Sequence, residues 1–231
     1  MTPESGMARM SDYQGHSLIL AAEYPVDDVD EMWRLLRDRE SDLAEIDAHH
    51  VVVYTSIWGR RRVLVTVGVR SPHSVHDVLR SPAVFDLFDI SGVDEIPAIF
   101  VGRIVEKIDI GPRSTRDGVA GVVVGVVTRA DDVGALVDGV HTAAERFHRA
   151  GVRKVWVYTA CDDSREAMIL QEIDDEMSAR RWLNRPDAAA EWMADAGFGV
   201  DQKVFVGKLA HVMAVENRSV DSLLPAGRRV S

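Results

Sequence analysis

Two polar side chains interrupt a run that is otherwise apolar, Ala167-Met168-Ile169-Leu170-Gln171-Glu172-Ile173. Successive residues of a strand point to opposite faces, so one member of the pair faces each side of a sheet and at least one is buried. A carboxylate withdrawn from water has its pKa raised and can remove a proton from a phenol or an α-carbon, which makes Glu172 the catalytic candidate. A structural hydrogen bond is the competing use of both side chains. Two tyrosines sit in nearly repeated segments, Val-Val-Val-Tyr-Thr at Val51 to Thr55 and Val-Trp-Val-Tyr-Thr at Val155 to Thr159. Alternation places Tyr54 on a face with Val52, and Tyr158 on a face with Trp156. A buried phenol needs a hydrogen-bond partner, so Tyr54, Tyr158 and Trp156 are ligand-contact candidates, with capping by backbone or water as the alternative.

Other constellations carry less. His141, Glu145 and His148 fall on one side of a helix and are metal-ligand types, but Val133, Leu136, Val140, Ala144 and Phe147 define that helix's core stripe and leave the trio on its flank, a solvated position. No metal site is expected. Cys161 precedes Asp162-Asp163, whose charge raises a thiol pKa rather than lowering it. There is no nucleophile elbow, phosphate-cradling glycine loop or dinucleotide fingerprint, and no cofactor is expected.

The segments that must position these residues recur along the chain. At an offset of 104 residues Asp27-Asp28-Val29 falls on Asp131-Asp132-Val133, Leu79 on Leu183 and Pro82 on Pro186. One residue of slippage later, Phe100-Val101-Gly102 meets Phe205-Val206-Gly207. Apolar runs of strand length alternate with helical periodicity, and each copy reads strand, helix, strand, strand, helix, strand. In the first copy acid at Asp27, Asp28, Asp30 and Glu31 opens the first helix, and Ser71-Pro72 opens the second. In the second copy Gly151 and Gly197 stand at helix C-caps.

This β-α-β-β-α-β order is the ferredoxin-like arrangement, an α+β fold with helices on one face of an antiparallel sheet. Val51-Val52-Val53, Val63-Leu64-Val65 and Met168-Ile169-Leu170 are apolar at successive positions, so both faces must be covered. The expected architecture is therefore two ferredoxin-like halves, 17–112 and 118–216, with their sheets packed into one α/β barrel. A polar tail, 1–16, precedes them and a second tail, 217–231, follows.

Composition narrows the partners. A 231-residue chain with 46% hydrophobic residues and a net charge of −10 reads as compact and soluble, and opposes nucleic-acid binding. A single cysteine suits a reducing compartment, and no run of about eighteen apolar residues occurs, so a cytoplasmic protein without membrane contact is expected. A fused chain supplies its own partner sheet, which allows a monomer, although edge strands left open would also permit a homodimer.

Gln171-Glu172-Ile173-Asp174, followed by Ser178, Trp182-Leu183 and Pro186, resembles the third strand and second helix of antibiotic-biosynthesis-monooxygenase-like domains in the dimeric α/β-barrel superfamily. The first copy keeps Ser71, Ser74, Leu79 and Ser81-Pro82 but has Val67-Gly68 where the second has Gln171-Glu172. The resemblance implies cofactor-independent oxidation of aromatic molecules, haem degradation, isomerisation or no reaction, and it adds Trp182 to the ligand-contact candidates. Haem-degrading members carry a ligating histidine where this chain has Trp192 and Phe88, which argues against haem. Two function classes follow. An enzyme would keep Gln171, Glu172, Tyr158 and Trp182 around a pocket between sheet and helices of the second half, acting on a small apolar or aromatic molecule. A non-catalytic protein would use both halves for binding or structure alone.

Overall fold

The computed structural model describes residues 18–59, 61–70, 78–81, 97–111, 121–184 and 203–215. The half limits at 17, 112, 118 and 216, both tails and most of the helix expected from Ser71 lie outside them. So do His73, His76, Phe88, Trp192 and Gly197.

The first half contributes β1 (Leu18–Pro25), α1 (Val29–Asp38), α2 (Glu40–Glu45), β2 (Ala48–Ser56), β3 (Arg62–Val69) and β4 (Ile99–Asp109). The second contributes β5 (Val122–Arg129), α3 (Val133–Thr142), α4 (Ala144–Ala150), β6 (Val152–Ala160), β7 (Glu166–Ile173), α5 (Glu176–Leu183) and β8 (Lys203–Ala214). From β1 and β5 through β4 and β8, matching elements begin 104 residues apart.

Local chemistry sets the helix starts. Asp28 caps α1 by accepting from the amides of Asp30 and Glu31, both at 3.0 Å. Asp132 does the same for α3 with Gly134 and Ala135, and Asp175 caps α5 through Ser178 at 2.7 Å. The single first helix expected in each half is two, because the chain turns at Arg39 and at Ala143, where the backbone has ψ of 18° and 2°. Gly151 ends α4 at φ 90°, as its place in the sequence predicts.

The strands close into an eight-stranded barrel in the order β1-β3-β2-β8-β5-β7-β6-β4. All pairings are antiparallel, including β4 with β1, which closes the ring. The two sheets join at their edges through β2 with β8 and β4 with β6, so each of these eight strands has two neighbours. The edges of both four-stranded sheets are therefore paired within the chain.

Burial falls into three clusters, as continuous apolar strands require. Leu18, Leu20, Val51, Val53, Val63 and Val65 pack outward against Met32, Leu36 and Leu43 of the first-half helices. Val124, Val155, Val157, Ile169 and Ile173 pack outward against Leu136, Val140, Phe147, Ala179 and Trp182 of the second-half helices. The third cluster lies inside the barrel and draws on both halves, with Ile19, Val52, Tyr54, Leu64, Tyr158, Met168, Leu170 and Phe205. Among the described residues no helix is long and apolar enough to cross a membrane.

Candidate functional site

Alternation along β6 and β7 divides the residues singled out from the sequence into two groups on opposite sides of the barrel wall. Tyr158, with Trp156 packed against the same cluster, faces the interior. On β7, Ala167, Ile169 and Ile173 belong to the helix layer, so Gln171 faces that layer and Glu172 the interior. Trp182 stands in the helix layer, its ring 5.2 Å from that of Phe147. The expected pocket uniting Gln171, Glu172, Tyr158 and Trp182 between sheet and helices is therefore not formed, because one strand spacing sends neighbouring side chains through opposite faces. The interior gathers Tyr54, Trp156, Tyr158 and Glu172 instead.

Tyr54 on β2 and Tyr158 on β6 stand four strands apart in the ring of eight, so they project from opposite walls. Their residues are 5% and 8% exposed. Among the described residues neither hydroxyl makes a hydrogen bond, yet neither is an isolated, fully enclosed atom. Burial pushes both phenols well above the ordinary tyrosine range; the Glu172 carboxylate pushes Tyr54 further, and Tyr54 and Glu172 do the same to Tyr158. Both are therefore neutral hydroxyls, able to donate and to accept.

Some interior side chains keep a little solvent access. Leu64, Leu170 and Tyr158 keep 6%, 7% and 8% of their exposure, while Val63, Ile169 and Val157, one position away and facing helices, keep 0%. With the wall between these interior side chains and the helix layers, the residual access comes from inside the barrel or through its ends.

Glu172 meets two partners. Trp156 donates from Nε1 to its Oε1 at 3.3 Å, and Lys154 Nζ lies 3.4 Å from its Oε2. The partner that a polar group in this strand requires is thus supplied by β6, whose Lys154 is Glu172's register partner. Lys154 Nζ also lies 5.7 Å from the Trp156 ring centre and Lys107 Nζ of β4 lies 4.7 Å from it. Lys107 carries no motif signal in the sequence. It faces inward because β4 bulges between Ile104 and Glu106, which shifts the alternation by one residue and sets Lys107 opposite Trp156. Gln171 is 2% exposed and its Oε1 has no hydrogen-bond partner among the described residues.

Of the trio expected on a solvated flank, His141 and Glu145 are exposed, but His148 is half-buried with its Nδ1 enclosed and unpartnered among the described residues. His141 bonds Glu106 of β4 at 2.9 Å on an exposed face. No group of three His, Cys, Asp or Glu side chains among the described residues is arranged to hold a metal ion. The Cys161 thiol is pushed up, first by burial, with Arg103 opposing and Asp162 adding, so the acidic neighbour named from the sequence is a lesser cause than burial.

No protein-family model and no curated protein matches the chain. Solved structures do. An anthrone oxidase-like protein is 12% identical, with a TM-score of 0.63 over 89% of this chain and 96% of its own. A candidate monooxygenase from Fusobacterium nucleatum is 9% identical, with a TM-score of 0.55 over 87% of this chain and 95% of its own. An uncharacterized ferredoxin-fold protein from Listeria monocytogenes, related to antibiotic biosynthesis monooxygenases, is 12% identical, with a TM-score of 0.50 over 87% of this chain and 98% of its own. At such identities the likeness carries the fold and no activity: the chain has an α+β, ferredoxin-like fold, with both four-stranded sheets of the barrel in one polypeptide.

Proposed function

We propose that the chain binds a small apolar or aromatic molecule inside the barrel, and that it arose by duplication of one ferredoxin-like unit. The observation that carries the binding reading is the pair of opposed phenols, Tyr54 and Tyr158, buried among apolar side chains with no hydrogen-bond partner among the described residues. Neither hydroxyl is fully enclosed, so each is open to a ligand oxygen between the two walls, and such a hydrogen bond contributes about 1 kcal/mol. In this reading Tyr54 and Tyr158 lie beside the ligand's ring and can bond an oxygen on it, and Trp156 contacts the ligand further along the second-half wall. Gln171 and Trp182 lie behind the wall and act only through the strand. With both sheet edges occupied inside the chain, the protein works as a monomer.

The enzyme form of the proposal is a cofactor-independent oxidation, favoured by fold neighbours described as monooxygenases and as anthrone oxidase-like. Glu172, open to the interior and held by Trp156 and Lys154, is the group that removes a proton from a phenol or an α-carbon. Haem and metal have no part in it. Oxygen uptake with an anthrone, without added haem or metal, tests this form: turnover is expected in the wild type and lost in Glu172→Gln, whose amide keeps an oxygen for the Trp156 N–H. Unchanged turnover in that variant removes Glu172 from the mechanism. The non-catalytic form is supported instead if native mass spectrometry shows a bound apolar molecule and no oxygen uptake follows.

A further inference from the structure

We propose that the molecule held in the barrel is an acid, with its anionic group between Lys107 and Lys154 against the Trp156 indole. The inference rests on the barrel-binding reading and names the ligand class that reading leaves open. Two ammonium groups flank one indole, at 4.7 and 5.7 Å from its centre, and one carboxylate, Glu172, accompanies them. Lys154 is the lysine paired to it, while the ammonium of Lys107 contacts the ring and has no carboxylate partner among the described residues. Glu172 is the one carboxylate within ion-pair distance of either ammonium among the described residues; Asp109 of β4, the register partner of Lys154, makes no ion pair with them, which leaves the Lys107 ammonium unpaired in a chain whose net charge is −10.

Its placement is specific. The β4 bulge turns Val105 out to solvent, 44% exposed, and sets Lys107 in register with Trp156. The corresponding bulge on β8 sets Val212 in register with Val52 of the first half. The same backbone device thus presents a cation on one wall and a methyl-bearing side chain on the other. Along β6 and β7 the inward side chains run from Lys154 and Glu172 to Trp156 and Leu170, and then to Tyr158 and Met168. Charge gives way to apolar wall within two inward positions, the profile of an amphiphilic acid with its anion outermost and its ring beside the phenols. A neutral ligand would leave the Lys107 ammonium without a counter-charge. An acid supplies it, and the indole and Glu172 fix where it sits.

Calorimetric titration of the full chain with 1-naphthoate and with its neutral counterpart 1-naphthol, at neutral pH and low salt, tests the assignment. Naphthoate is expected to bind at least about tenfold more tightly. Lys107→Met should bring its affinity to within about twofold of that for naphthol, and Lys107→Arg should keep the preference. Lys107→Gln serves the same purpose if the Met variant does not melt cooperatively. Equal affinities in the wild type, or a preference that survives a folded neutral variant, overturn the acid assignment and leave barrel binding standing. Binding of neither compound removes both readings.

Discussion

The two walls of the barrel share a backbone and differ in what they offer a ligand. On the second-half wall Lys154 pairs in register with Glu172, and Lys107 stands opposite Trp156. The matching positions of the first half hold His50 with Gly68, and Val212 with Val52. The sheet positions are the same and even the bulges recur, at Ala48/His50 and Val152/Lys154. One wall carries a charged and aromatic cluster in which Trp156 and Lys154 both meet Glu172. On the other, Gly68 leaves room for two imidazoles: a Cβ there would fall 2.3 Å from Cε1 of His50 and 2.7 Å from Cε1 of His49. The fold therefore constrains the backbone closely and this stretch of side chains loosely, so the two walls can differ in side-chain chemistry without disturbing closure of the ring.

The largest expected effect comes from forcing the first wall to resemble the second. Gly68→Glu should destabilise the protein by about 1–3 kcal/mol, since the new side chain enters space filled by the His49 and His50 rings. Adding His50→Lys, which rebuilds the second wall's cross-strand pair, should restore part of the loss. Thermal melts of the single and double variants check both steps. A neutral single variant would show that the imidazoles do not hold the glycine in place, and the contrast between the walls would weaken accordingly.

Where the walls agree, the comparison predicts symmetry. Tyr54 and Tyr158 both have phenol pKa values raised above the ordinary 10.0. Below pH 10 the folded and unfolded chains hold these protons equally; above it the unfolded chain releases them while the fold retains them. Stability therefore falls as pH rises, by up to about 1.4 kcal/mol per pH unit for each tyrosine until the folded phenols ionise. Denaturant melts between neutral pH and pH 11 should show this alkaline loss reduced by a similar amount in Tyr54→Phe and in Tyr158→Phe. A response confined to one variant would mean that the two walls already differ at this level.

The order of the described elements and the barrel were legible in the sequence because they rest on apolar periodicity and on strands with two apolar faces, at Val51-Val52-Val53 and Met168-Ile169-Leu170. The opposed tyrosines were legible for the same reason. The pairs β2 with β8 and β4 with β6 were not, since no local pattern says which edge meets which. Lys107 was hidden by a specific device: strict alternation from Phe100, Gly102 and Ile104 turns Glu106 inward and Lys107 outward, and only the bulge reverses them. The expected pocket failed on the phase of a single strand. Gln171 and Glu172 each met the expectation of a buried polar residue, but in different compartments, so grouping them by sequence proximity joined what the sheet separates.

Gln171 supplies the smallest effect and the finest comparison. In the first half its position is Val67, packed in the helix-side cluster; in the second the amide is buried with its Oε1 unpartnered among the described residues. An unpaired carbonyl in such a layer destabilises by roughly 1–3 kcal/mol, whereas a side chain of similar length without polar atoms removes that penalty and keeps the packing. Gln171→Met should therefore leave stability unchanged or raise it by up to about 1 kcal/mol, the remainder of the gain being reduced by imperfect repacking. It should not alter naphthoate binding, because the residue faces away from the interior. Chemical denaturation and the same calorimetric titration read the two parts separately. A clear loss of stability would show that the amide bonds to something in the helix layer. Weakened binding with stability intact would return the ligand to the sheet–helix interface and move the candidate site out of the barrel.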